Sequence, residues 1–133
     1  MRKGPVALKS AMDQLGNWND VVVLTYAEFG RRPQEYVSSG TDQGTANVPF
    51  ALGGRVAGRM YGAAPEIARL SADGNPAHAL DFRGAYATVL EQWWGIDSRA
   101  ALGRKFAPLP FLKAQPVAIS RSTRRGMPAN AAR

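Results

Sequence analysis

Residues 28–43, EFGRRPQEYVSSGTDQ, bring together the side chains in this sequence with the most chemistry to offer: Glu28, Arg31, Arg32, Asp42 and Gln43. A guanidinium presents a planar fork that can hold phosphate or sulfate through two parallel hydrogen bonds, so Arg31 and Arg32 are candidate oxyanion binders. Each residue also has a plainer reading. Arg31 and Arg32 can be surface charge, and Glu28 can pair with either of them as an exposed ion pair. Asp42, set between glycines in GTDQG, has the setting of a turn residue whose carboxylate bonds nearby backbone N–H groups. His78 is the sole histidine and stands in a polar loop without a second imidazole or thiol nearby in sequence. A metal site needs three or four ligands, so His78 reads as an ordinary exposed residue.

The element that must position this stretch is the run VVVL at residues 21–24. Successive apolar positions, without alternation, predict a strand buried on both faces. Charged groups follow its end at once, where open α/β sheets bind their ligands. Upstream, residues 5–15 predict a helix, with Pro5 in its first turn, Leu8, Met12 and Leu15 on one stripe, and Gly16-Asn17 as its stop. Helix and strand read as the second half of a strand–helix–strand unit. A strand buried on both faces needs neighbours, from later strands, from a partner chain or from the rest of a larger domain. Residues 30–46 read as a long loop, a length usually reserved for function or disorder. Residues 48–52 predict a short strand, Gly53-Gly54 a hairpin turn, and residues 55–61 the return strand with a bend at Gly58. Residues 62–77 are punctuated by Pro65, Gly74, Asn75 and Pro76 and read as irregular. Residues 81–94 predict a helix capped by Asp81 and closed by Gly95, with Phe82, Ala85, Tyr86, Val89, Leu90 and Trp93 on its buried stripe. A short helical turn over 98–102, closed by Gly103, precedes an extended apolar segment, 106–112, that holds Pro108 and Pro110.

Composition narrows the class. The chain has 133 residues, 45% of them hydrophobic and 20% charged, in the range of one folded domain. It lacks cysteine, which excludes disulfides and thiolate metal sites. It has no apolar run near the roughly 20 residues of a membrane span, and no signal peptide pattern. The net charge of +7 is uneven: residues 113–133 carry five basic and no acidic residues, against twelve basic and ten acidic in residues 1–112. This Pro-, Ala- and Arg-rich end is expected to be a disordered tail. Concentrating the excess there weakens a nucleic-acid reading, which wants a patterned basic patch.

Three separated stretches, AEFGRRPQEYVSSGTDQGTANVPFALGGRVAGRMYG, DFRGAYATVLEQWWGI and FAPLPFL, resemble in the same order the C-terminal part of a bacterial family, domain of unknown function 1501. That family is similar to the alkaline phosphatase and sulfatase superfamily, and the resemblance spans roughly residues 5–112. It implies an α/β fold: residues 1–112 as a partial alkaline-phosphatase-like domain, with the buried strand, packing helices and a small β-hairpin beside the cleft, followed by the tail. Members typically read S-E-F-G-R and then G-T-D-H-G. The resemblance therefore implies Asp42 as a carboxylate ligand for a divalent metal (zinc, manganese or calcium), with Glu28 as a second contact. Gln43 stands where the family His would be, and Ala27 where the Ser would be. An amide oxygen is a much weaker donor than imidazole, and zinc sites are built from Cys, His and carboxylates. The superfamily's nucleophile and remaining ligands lie partly upstream of this region.

These features imply a truncated or degenerate member of the family that is not catalytic alone. The alternative is a phosphate- or sulfate-ester hydrolase half-domain. A second polypeptide or a dimer mate would then complete its sheet, Asp42 and Glu28 would hold the metal, and Arg31 the oxyanion. A second alternative, a small basic nucleic-acid-binding protein, rests only on the isoelectric point of about 10.4. Family members are often exported to the periplasm; this sequence leaves location open.

Overall fold

A computed structural model describes residues 3–113; the tail expected over 113–133 lies outside them except for Lys113. The described chain is a mixed fold of three α-helices and two small antiparallel sheets. Helix α1, Lys3–Gln14, begins two residues before the expected Pro5 and ends one before the expected Leu15, with Gly16 at φ 72° closing it. Its apolar stripe is not covered: Val6, Leu8 and Leu15 are exposed, and the helix buries no residue among the described ones. No described helix is long and apolar enough to cross a membrane.

A 3-10 turn, Trp18–Asp20, leads into β1, Val23–Leu24, which pairs antiparallel with β4, Ala51–Leu52. This corrects the strand expected to be buried on both faces. The run 21–24 is half-buried and has one strand neighbour, because only β4 offers it a pairing partner. Val22 and Leu24 join the core, and Val21 and Val23 are half-buried. The loop expected over 30–46 is also corrected. It folds as a β-hairpin of β2, Gly30–Glu35, and β3, Thr41–Gly44, with a register shift between Arg31 and Glu35. The turn closes through Tyr36 N–H donating to the Gly40 carbonyl at 2.7 Å, with Ser39 at φ 62°. Sequence pattern hides such a hairpin because its residues are polar on both faces and Pro33 disrupts the strand signal.

Residues 55–61 do not return along the 48–52 strand, a further correction. Instead Val56 bridges Leu112, Ala57 N–H donates to the Phe111 carbonyl at 2.8 Å and Lys113 N–H to the Arg55 carbonyl at 2.8 Å. The extended segment 106–112 thus takes the place of a strand, as its apolar residues require burial. Residues 62–77 are irregular, as expected.

Helix α2, Phe82–Thr88, begins at Asp81, whose carboxylate accepts the Arg83 N–H at 2.9 Å. It runs on into a π-helical turn, Val89–Trp93, where Trp94 N–H reaches the Val89 carbonyl. Gly95 and Gly103, both left-handed, end this helix and α3, Arg99–Leu102. Ser98 is fully buried and donates to Glu91 at 2.6 Å, fixing the turn between the two helices.

The core is small. Ala85 of α2, with Phe111 and Leu112, is its buried centre, and Val22, Leu24 and Ala51 of the β1–β4 ribbon pack against it. Thr88, fully buried, joins α2 to the extended segment. Its hydroxyl accepts the Leu109 N–H at 2.7 Å and is shared between the carbonyls of Gly84 at 2.7 Å and Leu109 at 3.1 Å. Arg83 adds a second tie, binding Asp81 through two nitrogens and stacking on Phe106 at 4.4 Å.

Two outcomes follow from this arrangement. Thr88→Val keeps the shape but strands the Leu109 N–H, so urea unfolding should show a loss of about 1–3 kcal/mol, with Thr88→Ser losing less. The Arg83 side chain, then its backbone N–H, draws the Asp81 carboxyl down to about 2. A depressed carboxylate contributes its stability above the unfolded-state pKa and loses it as pH falls through the folded one. NMR titration should therefore find Asp81 still ionised at pH 3, and Arg83→Ala should return it toward the ordinary carboxylate range.

Candidate functional site

The β2–β3 hairpin brings the sequence-predicted residues within one polar ribbon. Gly30 pairs with Gly44 and Arg31 with Gln43. Gly44 is buried, and a Cβ there would stand 2.9 Å from the Arg31 carbonyl carbon and 3.0 Å from the Asn75 side chain. Only glycine lets the backbone approach both so closely. Asn75, itself buried, accepts the Thr45 N–H at 2.9 Å on its side-chain oxygen, while its own N–H donates to Ser71 Oγ at 3.1 Å. Loop 71–76 is thereby latched to the end of β3.

Asp42 is half-exposed. Its carboxylate accepts the Gln43 N–H at 2.8 Å and lies 3.6 Å from the Arg32 guanidinium. The Tyr36 hydroxyl first, then the Gln43 N–H, and then the charges of Arg32 and Arg31 hold it below the ordinary carboxylate range. The same contact raises the Tyr36 phenol. Tyr36, Asp42 and Arg32, with Gln34 and Glu35, line a hollow of about 150 Å³. A larger open hollow of about 390 Å³, lined by Glu91, Ile96, Asp97, Arg99 and Lys105, contains none of the sequence-predicted residues.

Gln43 is exposed and Asp42 half-exposed, and successive side chains along a strand alternate between its faces. Adjacent residues of β3 face opposite sides, so the amide of Gln43 does not share an ion with the Asp42 carboxylate. Arg31 spends its guanidinium inside the hairpin, donating to the Thr41 carbonyl at 2.7 Å, with its charge 5.5 Å from the Phe29 ring. The Arg32 Nε is buried without a partner among the described residues. Glu28 is exposed on the segment between β1 and β2, and His78 is exposed in its loop. Among the described residues, no three His, Cys, Asp or Glu side chains gather closely enough to hold a metal ion. The described residues by themselves do not assemble the divalent site that the resemblance implies, whose remaining ligands it places partly upstream.

Sequence reasoning missed Tyr36 and Asn75. Tyr36 would have been found had the hairpin been recognised, since the turn it opens carries Asp42 back beside it. Asn75 was legible only as turn punctuation next to Pro76.

Replacing Tyr36 by Phe should move the Asp42 titration toward the ordinary carboxylate range in side-chain NMR. The interactions of Asp42 stabilise the hairpin above its unfolded-state pKa and are lost as pH falls through the depressed folded value. Asn75→Ala leaves the Thr45 N–H without its acceptor, and hydrogen exchange at that amide should speed up.

Over residues 1–107 the chain matches the family described as Protein of unknown function (DUF1501). No curated relative matches it, and no solved structure does. The family match covers the hairpin, the β1–β4 ribbon and all three helices, and the chain belongs to that family.

Proposed function

We propose that this chain is a degenerate member of its family, related to the sulfatase and alkaline phosphatase type, whose TDQG corner serves structure in place of metal-assisted ester hydrolysis. The observation that carries this reading is the state of Asp42. Its carboxylate accepts the Gln43 N–H and pairs with Arg32, with Tyr36 lining the same hollow. A hydrolytic metal polarises a phosphoryl or sulfuryl oxygen only when several protein ligands fix it. The family's second donor position is an amide here, on the other face of the strand from Asp42. Arg31, turned onto the Thr41 carbonyl, has the same structural character. In this reading Asp42 and Arg32, beside Tyr36, act as a polar clasp across the hairpin, while Asn75 holds loop 71–76 to it.

The test is direct. The purified full chain, given p-nitrophenyl phosphate or p-nitrophenyl sulfate with zinc, manganese or calcium, should release no more nitrophenol than the metal alone. Gln43→His should gain no zinc or manganese affinity by calorimetry, because the new imidazole faces away from Asp42. Metal-dependent turnover that disappears in Asp42→Ala would overturn the reading. So would tight metal binding by Gln43→His that is lost when Asp42→Ala is added.

A further inference from the structure

Asp73-Gly74 is the sole place in the sequence where an aspartate or asparagine precedes glycine. The pair forms the corner of loop 71–76. Gly74 N–H donates to the Ser71 carbonyl at 2.9 Å and Ser71 N–H to the Asn75 carbonyl at 2.9 Å, while Leu70 bridges Pro76. Gly74 stands at φ 73°, a left-handed position that favours glycine. Asp73 is exposed, and no ion pair among the described residues engages its carboxylate. Two residues on, Asn75 is buried and holds Thr45, just past the end of β3. A free carboxylate thus stands next to an unshielded backbone nitrogen, beside the contact that latches this loop to the hairpin.

We propose that Asp73-Gly74 is a self-modification site, where aspartate converts to isoaspartate at a rate set by the Asn75 latch, and that the product releases loop 71–76 from the hairpin. The Gly74 nitrogen bonds to Asp73 Cγ and gives up its proton, a Cγ–oxygen bond breaks and water leaves, closing a five-membered succinimide. Water then opens the ring. Attack at Cγ restores aspartate; attack at the main-chain carbonyl carbon routes the chain through Cβ and Cγ and leaves a free α-carboxylate. No electrons are exchanged and the final mass is unchanged. Glycine matters at the second position because a side chain would crowd the attacking nitrogen; the other aspartates precede Gln, Val, Phe or Ser. In the native turn the Gly74 N–H is committed to Ser71, so its nitrogen reaches Cγ only when the turn opens. Asn75 opposes that opening, because its release leaves the buried Thr45 contact without an acceptor. Isoaspartate adds one atom to the main chain between Ser71 and Asn75. The turn hydrogen bond to Ser71 and the Asn75–Thr45 contact then no longer form together.

The full chain, held at neutral pH and physiological temperature, should split its tryptic peptide 70–83 into two species of equal mass, the isoaspartyl one identified by electron-transfer fragmentation. Asp73→Glu should abolish the second species, because the corresponding six-membered ring closes far more slowly. Asn75→Ala should form it about fivefold or more faster than the unaltered chain under native conditions, and at the same rate in guanidinium chloride, where neither chain has the latch. If Asn75→Ala fails to fold, the unaltered chain decides: conversion must be slower in the native than in the denatured state, and the separated isoaspartyl protein must show faster amide exchange at Thr45. A folded chain that forms no isoaspartate while the denatured chain does, or conversion equally fast in both states, would overturn the proposal. So would a folded Asn75→Ala no faster than the unaltered chain, or an isoaspartyl protein whose Thr45 exchange is unchanged.

Discussion

The hydroxyl of Thr88 ties helix α2 to the extended segment 106–112 at the centre of the core. It is fully buried and serves both the helix that bears it, through the Gly84 carbonyl, and the extended segment that crosses it, through Leu109. The segment 106–112 has no helix or strand ladder of its own, so its backbone groups must find partners singly. Thr88, Tyr61, which donates to the Pro110 carbonyl at 3.0 Å, and residues 55–57 supply them. With the segment fixed, Phe111 and Leu112 form the floor on which Val22 and Leu24 pack. The position of β1, and of the hairpin that follows it, depends on this chain of contacts.

The hairpin is organised by charge and not by apolar burial. Its strands are mostly exposed, and Asp42, Arg32 and Tyr36 interact across it in partly solvated surroundings. Exposed ion pairs of this kind stabilise little individually. What gives the corner its shape is the close backbone approach at Gly44, with the buried Asn75 filling the acceptor role for Thr45. The half-exposed Asp42 carboxylate accepts the Gln43 N–H and lies beside the Arg32 guanidinium.

Apolar surface is unevenly spent. Among the described residues, five hydrophobic ones are buried, Ala85, Ala87, Phe106, Phe111 and Leu112, while Val6, Leu15, Tyr26, Phe50 and Trp94 are more than half exposed. Burial is what offsets conformational entropy, and a core this small contributes little of it. The apolar face of α1 and the outer face of the β1–β4 ribbon are the places where further burial would add most.

What the amino-acid sequence determined by itself was local. The stop of α1 at Gly16, the Asp81 cap, the left-handed stops at Gly95 and Gly103 and the extended course of 106–112 all follow from the chemistry of a few neighbouring residues. The family, too, was legible, because it rests on ordered motifs. Tertiary structure alone decided which segments meet. The run 21–24 looked like the centre of a sheet because its residues are apolar on both faces, but burial on both faces requires layers that lie elsewhere in space. The hairpin at 30–44 was hidden because its stability comes from cross-strand pairs such as Arg32 with Asp42, which pattern along the chain does not register. Thr88 is an ordinary helix residue in sequence; it became the clasp of the fold only when Leu109, far along the chain, was brought against it.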